Sequence, residues 1–171
     1  DFGIPQNRRR VFFIGSKITK KIVFPKLHLF VEETVGKTLS KYPKLAPGES
    51  SALPNHIAMN HSSQMLKKMK FLPDGGDRTT IPKSLRPTSG DIRKYIRYDS
   101  KKPSITITGD MRKVFHFEQN RALTVRELAA LQTFEDDFVF EGTRISQQQQ
   151  VGNAVPVLLA ENIAKSIDKI I

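Results

Sequence analysis

The chain has 171 residues, enough for one domain with a buried core or for a small domain with an appendage. Its 28 Lys and Arg residues exceed its 17 Asp and Glu residues, and the net charge of +11 favours a polyanion such as nucleic acid as partner. The sequence contains no cysteine, which excludes disulfides, thiolate zinc sites and a cysteine nucleophile in this chain, and it has no apolar run long enough to span a membrane.

The first part of the chain predicts one strand and two helices. Residues 11–15 form a short apolar run ending in glycine, typical of a strand covered on both faces, and a dense positive cluster precedes it. Residues 34–41 predict a short helix that Pro43 would stop. Residues 61–71 predict a second helix with Ser62 or Ser63 as its N-cap.

The middle of the chain predicts irregular structure followed by a hairpin. Residues 73–77 predict a turn, and residues 72–103 combine proline, glycine and charge, which indicates a long, basic surface segment. Residues 104–109 alternate between polar and apolar side chains and are rich in β-branched residues, which predicts a strand. Residues 114–117 are its expected hairpin partner.

The C-terminal part predicts two helices. Thr124 and Glu127 have the spacing of a capping box, which marks the start of the first helix. Residues 152–153 (Gly-Asn) predict a turn, and Pro156 suits the first position of a last helix. One face of that helix carries an apolar stripe, formed by Leu159, Ile163, Ile167 and Ile170.

Three blocks in this order resemble the cytosine-C5 DNA methyltransferases. Residues 6–10 (Gln-Asn-Arg-Arg-Arg) resemble the family's Gln-x-Arg-x-Arg block, residues 121–134 its ninth conserved block, and residues 152–156 (Gly-Asn-Ala-Val-Pro) its tenth. The long interval between the first two blocks is similar to the family's variable target-recognition region. The usual Pro-Asp-x-Phe continuation of the ninth block is Glu-Asp-Asp-Phe at residues 135–138, which changes a loop.

The resemblance implies an α+β fragment of a Rossmann-like methyltransferase. It would comprise the edge strand of the catalytic sheet, a small irregular target-recognition domain and a C-terminal helix that packs on the catalytic domain. The expected divisions are the end of the catalytic domain (1–20), the target-recognition domain (21–120), the helix and loop of the ninth block (121–150), and the final turn and helix (151–171).

The resemblance also implies methyl transfer from S-adenosylmethionine to C5 of a cytosine flipped out of duplex DNA. Arg10 would place its guanidinium at cytosine O2, where negative charge develops, and Arg8 would bind a phosphate or support the pocket. A solvated basic edge is the alternative for both arginines. The resemblance places Asn153, Ala154 and Val155 beside the cofactor.

Candidate DNA contacts follow from the same resemblance. Thr106 matches the family's recognition-strand pattern and would contact the target nucleotide's backbone. Arginines flanking that strand could bind guanine O6 and N7, with phosphate contact or plain solubility as the alternative. Gln6 is expected to be structural within its block. The DNA-facing candidates are Gln6, Arg93, Arg97, Thr106 and Arg112. The four histidines are not spaced as a metal site.

The family's glycine-rich cofactor loop, Pro-Cys pair and Glu-Asn-Val block are absent from this sequence. We therefore expect a missing N-terminal catalytic part, in cis or as a second subunit, in a bacterial cytoplasmic restriction–modification system. The first residues have no signal-peptide pattern. One alternative is a stand-alone sequence-specific DNA-binding or regulatory module, and another is a protein-interaction subunit.

Overall fold

A computed structural model of the chain describes residues 2–17, 23–25, 33–87 and 94–168. The helices and strands of these residues are, in chain order, α1 (Val35–Leu39), α2 (Ser63–Met69), a 3-10 turn (Arg78–Thr80), β1 (Ile96–Arg97), β2 (Val114–Phe115), α3 (Val125–Leu131), α4 (Arg144–Asn153) and α5 (Val157–Asp168). Most of the remaining described chain is irregular, as expected for residues 72–103. None of the described helices combines the length and apolarity needed to cross a bilayer.

The helices predicted at residues 34–41 and 61–71 are confirmed, over the shorter ranges Val35–Leu39 and Ser63–Met69. The hydroxyl of Thr34 accepts from the Lys37 N–H at the start of α1, and Ser62 caps α2 through the Met65 N–H. The turn predicted at residues 73–77 also forms, because Gly75 adopts a φ of +73°.

Helix α3 is the centre of the described structure. All seven of its residues are buried. Its N-terminus carries the predicted capping box, since the Thr124 hydroxyl accepts from the Glu127 N–H and the Glu127 carboxylate accepts from the Thr124 N–H. The main apolar core surrounds α3 and includes Leu39 from α1 and Val151 from α4. Burial of each such side chain contributes about 1.5–3 kcal/mol.

Two predicted strands are wrong. Residues 11–15 pair with no described strand, and Val11 and Phe13 are 78% and 95% exposed. Residues 104–109 form no ladder beyond one bridge between Ser104 and Gln6. The reason is that residues 104–107 lie parallel to the segment around Gln6, whose side-chain oxygen accepts from the Ile107 N–H at 3.0 Å. A hydrogen bond from the Ile107 backbone to the Gln6 side chain thus takes the place of the next backbone–backbone bond of a ladder.

The predicted hairpin is wrong as well. Strand β2 pairs in parallel with β1, with Ile96 opposite Val114 and Arg97 opposite Phe115. This pairing buries part of residues 72–103, so the prediction that this segment lies on the surface fails at β1. A second apolar core forms here from Met69, Leu72, Ile81, Tyr95, Phe115 and Ala122.

Residues 152–153 are the last turn of helix α4 and not the predicted separate turn. The cause lies upstream, because Thr143 caps a helix that includes the whole glutamine run at residues 147–150. Pro156 immediately precedes α5, close to its predicted place. Of the predicted stripe on α5, Leu159 and Ile163 are half-buried and face a cleft.

Candidate functional site

A cleft with a volume of about 1290 Å³ lies between the N-terminal segment and α5. The N-terminal segment contributes polar groups, including Arg8, Arg9 and Arg10, whereas α5 contributes Leu159 and Ile163. The wall from the N-terminal segment therefore combines the arginines with Phe2, Ile4, Phe12 and Ile14, whereas the wall from α5 is apolar. A planar, electron-rich ligand with a polar edge suits such a cleft.

Gln6 lines this cleft and connects its own block to the ninth block. Its amide donates to the side-chain oxygen of Gln132 at 2.8 Å, and the Gln132 amide donates to the Val151 carbonyl at 2.7 Å. Both glutamines are buried. The expectation that Gln6 is structural is confirmed, whereas its inclusion among the DNA-facing residues is wrong because its amide is used inside the protein.

Arg8 links the same elements through its guanidinium. Nη1 donates to the Ile107 carbonyl and Nη2 to the Gly152 carbonyl, each at 2.8 Å. Partial burial lowers the pKa of Arg8, and the nearby charge of Arg10 lowers it further. These bonds favour support of the pocket over phosphate contact for Arg8.

Arg10 is exposed and lines two cavities. Its Nη1 donates to the Arg9 carbonyl at 2.6 Å. Besides the main cleft it borders a cavity of about 550 Å³, whose other lining residues include Thr106, Lys94 and Asp110. The Thr106 hydroxyl donates to the Asn7 carbonyl at 2.9 Å. Arg10 and Thr106 are therefore brought together, as expected of residues that share one ligand.

Arg97 was predicted to bind DNA, and this prediction is wrong for the described structure. Its side chain is 5% exposed and donates five hydrogen bonds to protein oxygens. The acceptors are the carbonyls of Met69, Leu72, His116 and Gln119 and the side chain of Asn120. A guanidinium with these bonds joins the second core and has no free edge for a base.

Arg112 is exposed, as a DNA contact requires. Its guanidinium pairs with Asp110, with Nε at 2.9 Å from Oδ1 and Nη2 at 3.2 Å from Oδ2. Arg93 lies outside the described residues, so its predicted DNA contact has no structural counterpart here. The segment predicted to approach the cofactor leaves Asn153 and Val155 exposed and Ala154 half-buried, immediately before the cleft residue Pro156.

Buried charges near α3 are structural, as predicted for Arg121 and Glu127. The two side chains form a paired contact at 2.8 and 2.6 Å, and both are almost fully buried. Arg126 is also buried and donates to the carbonyls of Pro54 and Glu135, which holds the loop that departs from the family pattern. Among the described residues no group of three acidic or histidine side chains could hold a metal ion.

Sequence reasoning missed Gln132, Arg126 and Asp110. Gln132 and Arg126 belong to the ninth block, yet their partners lie far away in the sequence, which no local pattern reveals. The Asp110-x-Arg112 spacing is a local signal for an ion pair, and it could have been used.

Comparison with known proteins identifies the family. The model of the C-5 cytosine-specific DNA methylase family matches residues 1–169. The Type II methyltransferase M1.HphI of Haemophilus parahaemolyticus is 63% identical over 169 residues, covering 99% of this chain and 45% of its own length. M.NgoFVII of Neisseria gonorrhoeae is 33% identical, with 98% of this chain and 47% of its own length covered.

The chain thus spans about half the length of these curated relatives. Another relative is shorter: M.AquIB of Picosynechococcus is 39% identical over 127 residues, covering 67% of this chain and 87% of its own length. A solved structure from Escherichia coli, of a prophage-encoded protein assigned as a DNA modification methyltransferase, matches with a TM-score of 0.71 and 22% identity. It covers 99% of this chain and 57% of that protein, and it supports the fold alone. The chain belongs to the C-5 cytosine-specific DNA methylase family.

Proposed function

We propose that this chain is the C-terminal DNA-recognition portion of a DNA (cytosine-5-)-methyltransferase and is not active alone. The observation that carries the proposal is the convergence of three separate sequence blocks on one cleft. Gln6 and Arg8 line this cleft, where Gln6 donates to Gln132 and Arg8 donates to the Gly152 carbonyl. Residues 6, 132 and 152 lie far apart along the chain, so these contacts support a shared function of the three blocks.

Arg10 would act on the flipped cytosine. When a thiolate attacks C6 of the ring, negative charge develops at O2, and a guanidinium at that position stabilises it. Arg10 is exposed at the wall between the two cavities, with Thr106 beside it. Arg8 would hold the segment in place. It would not contact the base, since both of its Nη atoms are bonded to carbonyls.

S-adenosylmethionine, when bound, would supply the methyl group. Within this chain, Asn153, Ala154 and Val155 would approach it, because they precede Pro156 and Leu159 at the cleft wall and leave exposed polar and backbone groups. Helix α5 would exclude water from that side through its half-buried apolar face.

The remaining catalytic part would be a segment in cis or a second subunit. The chain has no cysteine, so the attacking thiolate must come from other residues. The chain exposes the apolar side chains of Val11, Phe13 and Phe24, which a neighbouring sheet strand could cover. On this proposal residues 11–15 face that neighbour, and the domain divisions after residues 20, 120 and 150 remain a prediction.

Duplex DNA is the proposed substrate, in a bacterial restriction–modification system located in the cytoplasm. The net charge of +11 supports affinity for phosphates. Incubation of this chain with a candidate N-terminal part, DNA and tritiated S-adenosylmethionine tests the proposal. Labelled DNA is expected from the mixture and not from either part alone. DNA binding without methylation in the mixture would favour the binding module instead.

The Arg10→Ala variant tests the catalytic assignment in the reconstituted enzyme. We expect turnover to fall by about 100-fold or more, as for loss of one charge-stabilising donor, with a much smaller change in DNA affinity. Arg9→Ala is the matched control, because Arg9 is also exposed at the cleft and carries the same charge. Equal losses of turnover and affinity for Arg10→Ala would show that Arg10 is a phosphate contact.

A further inference from the structure

Asp110 holds two cations at the wall of the smaller cavity. It accepts two hydrogen bonds from the guanidinium of Arg112 and also forms an ion pair with Lys94. The same cavity is lined by Arg10 and Thr106. The carboxylate and its two basic partners therefore lie next to the residues proposed to hold the flipped cytosine.

The atoms that Arg112 uses decide what it can still bind. Its Nε and Nη2 face Asp110, so one edge of the guanidinium is occupied. Nη1 and the second hydrogen of Nη2 remain on another edge, and Arg112 is 56% exposed. Guanine O6 and N7 accept two parallel N–H groups, which this remaining edge presents. Arg112 can thus bind guanine without releasing Asp110.

Pre-orientation has a physical consequence for base selection. A free arginine side chain loses roughly 2 kcal/mol of rotamer entropy when it is fixed, whereas a side chain already held by a carboxylate loses less on binding. A fixed guanidinium also cannot turn to a neighbouring phosphate as readily. In addition, the charge of Asp110 repels phosphates, which weakens binding to unrelated sequences.

We propose that Asp110 is a specificity-determining positioning residue, which orients Arg112 to read one guanine of the target duplex and holds Lys94 beside it. The proposal rests on the proposed function. The hydrogen bonds from Arg112 and Lys94 outweigh partial burial and lower the pKa of Asp110 well below its usual range, so the carboxylate is ionised at neutral pH. Other exposed ion pairs such as Lys44–Glu118 lie away from the lining of this cavity.

The test uses the complete, reconstituted enzyme. Selection from a randomised duplex library defines the site of the wild type, and affinities are then measured for that site and for every single-base replacement. For Asp110→Asn we expect discrimination at one guanine to fall by at least about fivefold, the lower limit for one paired arginine–guanine contact. Affinity for unrelated DNA is expected to be unchanged or higher, because one negative charge is removed.

Two further variants separate positioning from general stability. Arg112→Ala should lose discrimination at the same base pair, and Asp110→Asn combined with Arg112→Ala should lose no more than Arg112→Ala alone, since both changes remove one contact. Glu118→Gln removes the same charge from the Lys44 pair and should leave selectivity intact.

Two results would overturn the inference while leaving the proposed function intact. One is full selectivity of Asp110→Asn, and the other is loss of discrimination by Asp110→Asn and Arg112→Ala at different base pairs. A wild-type enzyme that selects no sequence would overturn the proposed function and the inference together.

Discussion

Arg97 shows how burial decides the function of an arginine. Its guanidinium lies in the second core, bonded to oxygens from residues 69–72 and 116–120. Burial is the main cause that lowers its pKa, while the charge of Asp74 acts in the opposite direction. Arg112, fifteen residues further on, has an exposed guanidinium. The two residues look alike in sequence, yet Arg112 alone of this pair presents its guanidinium to solvent.

The Arg97→Met variant should therefore lose stability and not sequence selectivity. The substitution leaves several buried carbonyls without a donor, and we expect the free energy of unfolding to fall by about 3–5 kcal/mol. Urea denaturation of the chain measures this change. Arg112→Met is the matched control and should change the unfolding free energy by about 0.5 kcal/mol or less, because its ion pair is exposed. A stable Arg97→Met protein would contradict the structural assignment.

At the scale of elements, a close backbone approach fixes α4 against residues 107–109. A Cβ atom added at Gly152 would lie 2.5 Å from the Thr108 carbonyl carbon and 2.6 Å from the Gly109 nitrogen. Both neighbours are backbone atoms, so they cannot rotate away. The same contact region holds the carbonyls of Ile107 and Gly152 that Arg8 bridges. Glycine is therefore required at position 152 by packing between elements.

Two physical effects change the stability of the Gly152→Ala variant in opposite directions. Helix propensity alone would stabilise α4 by about 1 kcal/mol, whereas the backbone clash should destabilise the protein by about 1–3 kcal/mol or more. We expect the clash to dominate and the melting temperature to fall. Gly15→Ala is the control, since nothing lies within 4 Å of a Cβ added there. A higher melting temperature for Gly152→Ala would mean that α4 does not approach residue 108 so closely.

Helices α1, α2 and α3 were predicted over short local stretches, whereas α4, which the Thr143 hydroxyl caps in the same local way, was not predicted. The hydroxyls of Thr34, Ser62 and Thr124 each accept from an N–H three residues later, and this spacing is visible in the sequence. Strand pairing is not local. Residues 104–109 have a strand pattern, but their partner is the segment around Gln6, about a hundred residues earlier. The pattern predicts extended backbone and cannot predict the neighbour.

The candidate site was predicted in part for the same reason. Arg10 and Thr106, which the resemblance assigned to the target nucleotide, line one cavity, and Arg97 does not line it. The structural role of Gln132 depends on contacts with Gln6 and Val151, which are distant in the chain. Resemblance therefore places residues in a block, and only the packed structure separates those that face the cleft from those that support it.

At the scale of the whole molecule, two buried histidines, His56 and His116, and the half-buried His61 connect the elements around α3. His56 lies between the Thr124 hydroxyl and the Pro43 carbonyl, at 2.9 and 3.2 Å. His61 accepts from the Ala122 N–H at 2.9 Å, and His116 accepts from the N–H groups of Glu118 and Gln119. Burial is the first cause that lowers the pKa of all three histidines, and it lowers that of His116 to about 4.

These histidines should make the protein sensitive to mild acid. Because each folded-state pKa lies below the unfolded value of about 6.5, the unfolded chain binds more protons as the pH falls. Stability is therefore complete above about pH 6.5 and decreases as the pH falls towards the folded values, which for His116 means towards about 4. His116 alone should contribute a loss of about 3 kcal/mol over that window.

Urea denaturation at several pH values between 7 and 4 measures this loss, and His116→Gln isolates one histidine. Glutamine retains an oxygen that can accept from the N–H groups of Glu118 and Gln119, but it takes up no proton. We expect the variant to be less stable than the wild type at pH 7 and to have a shallower dependence on pH, because one proton fewer is bound on unfolding. An unchanged slope in His116→Gln would show that His116 has the same pKa in the folded and the unfolded protein.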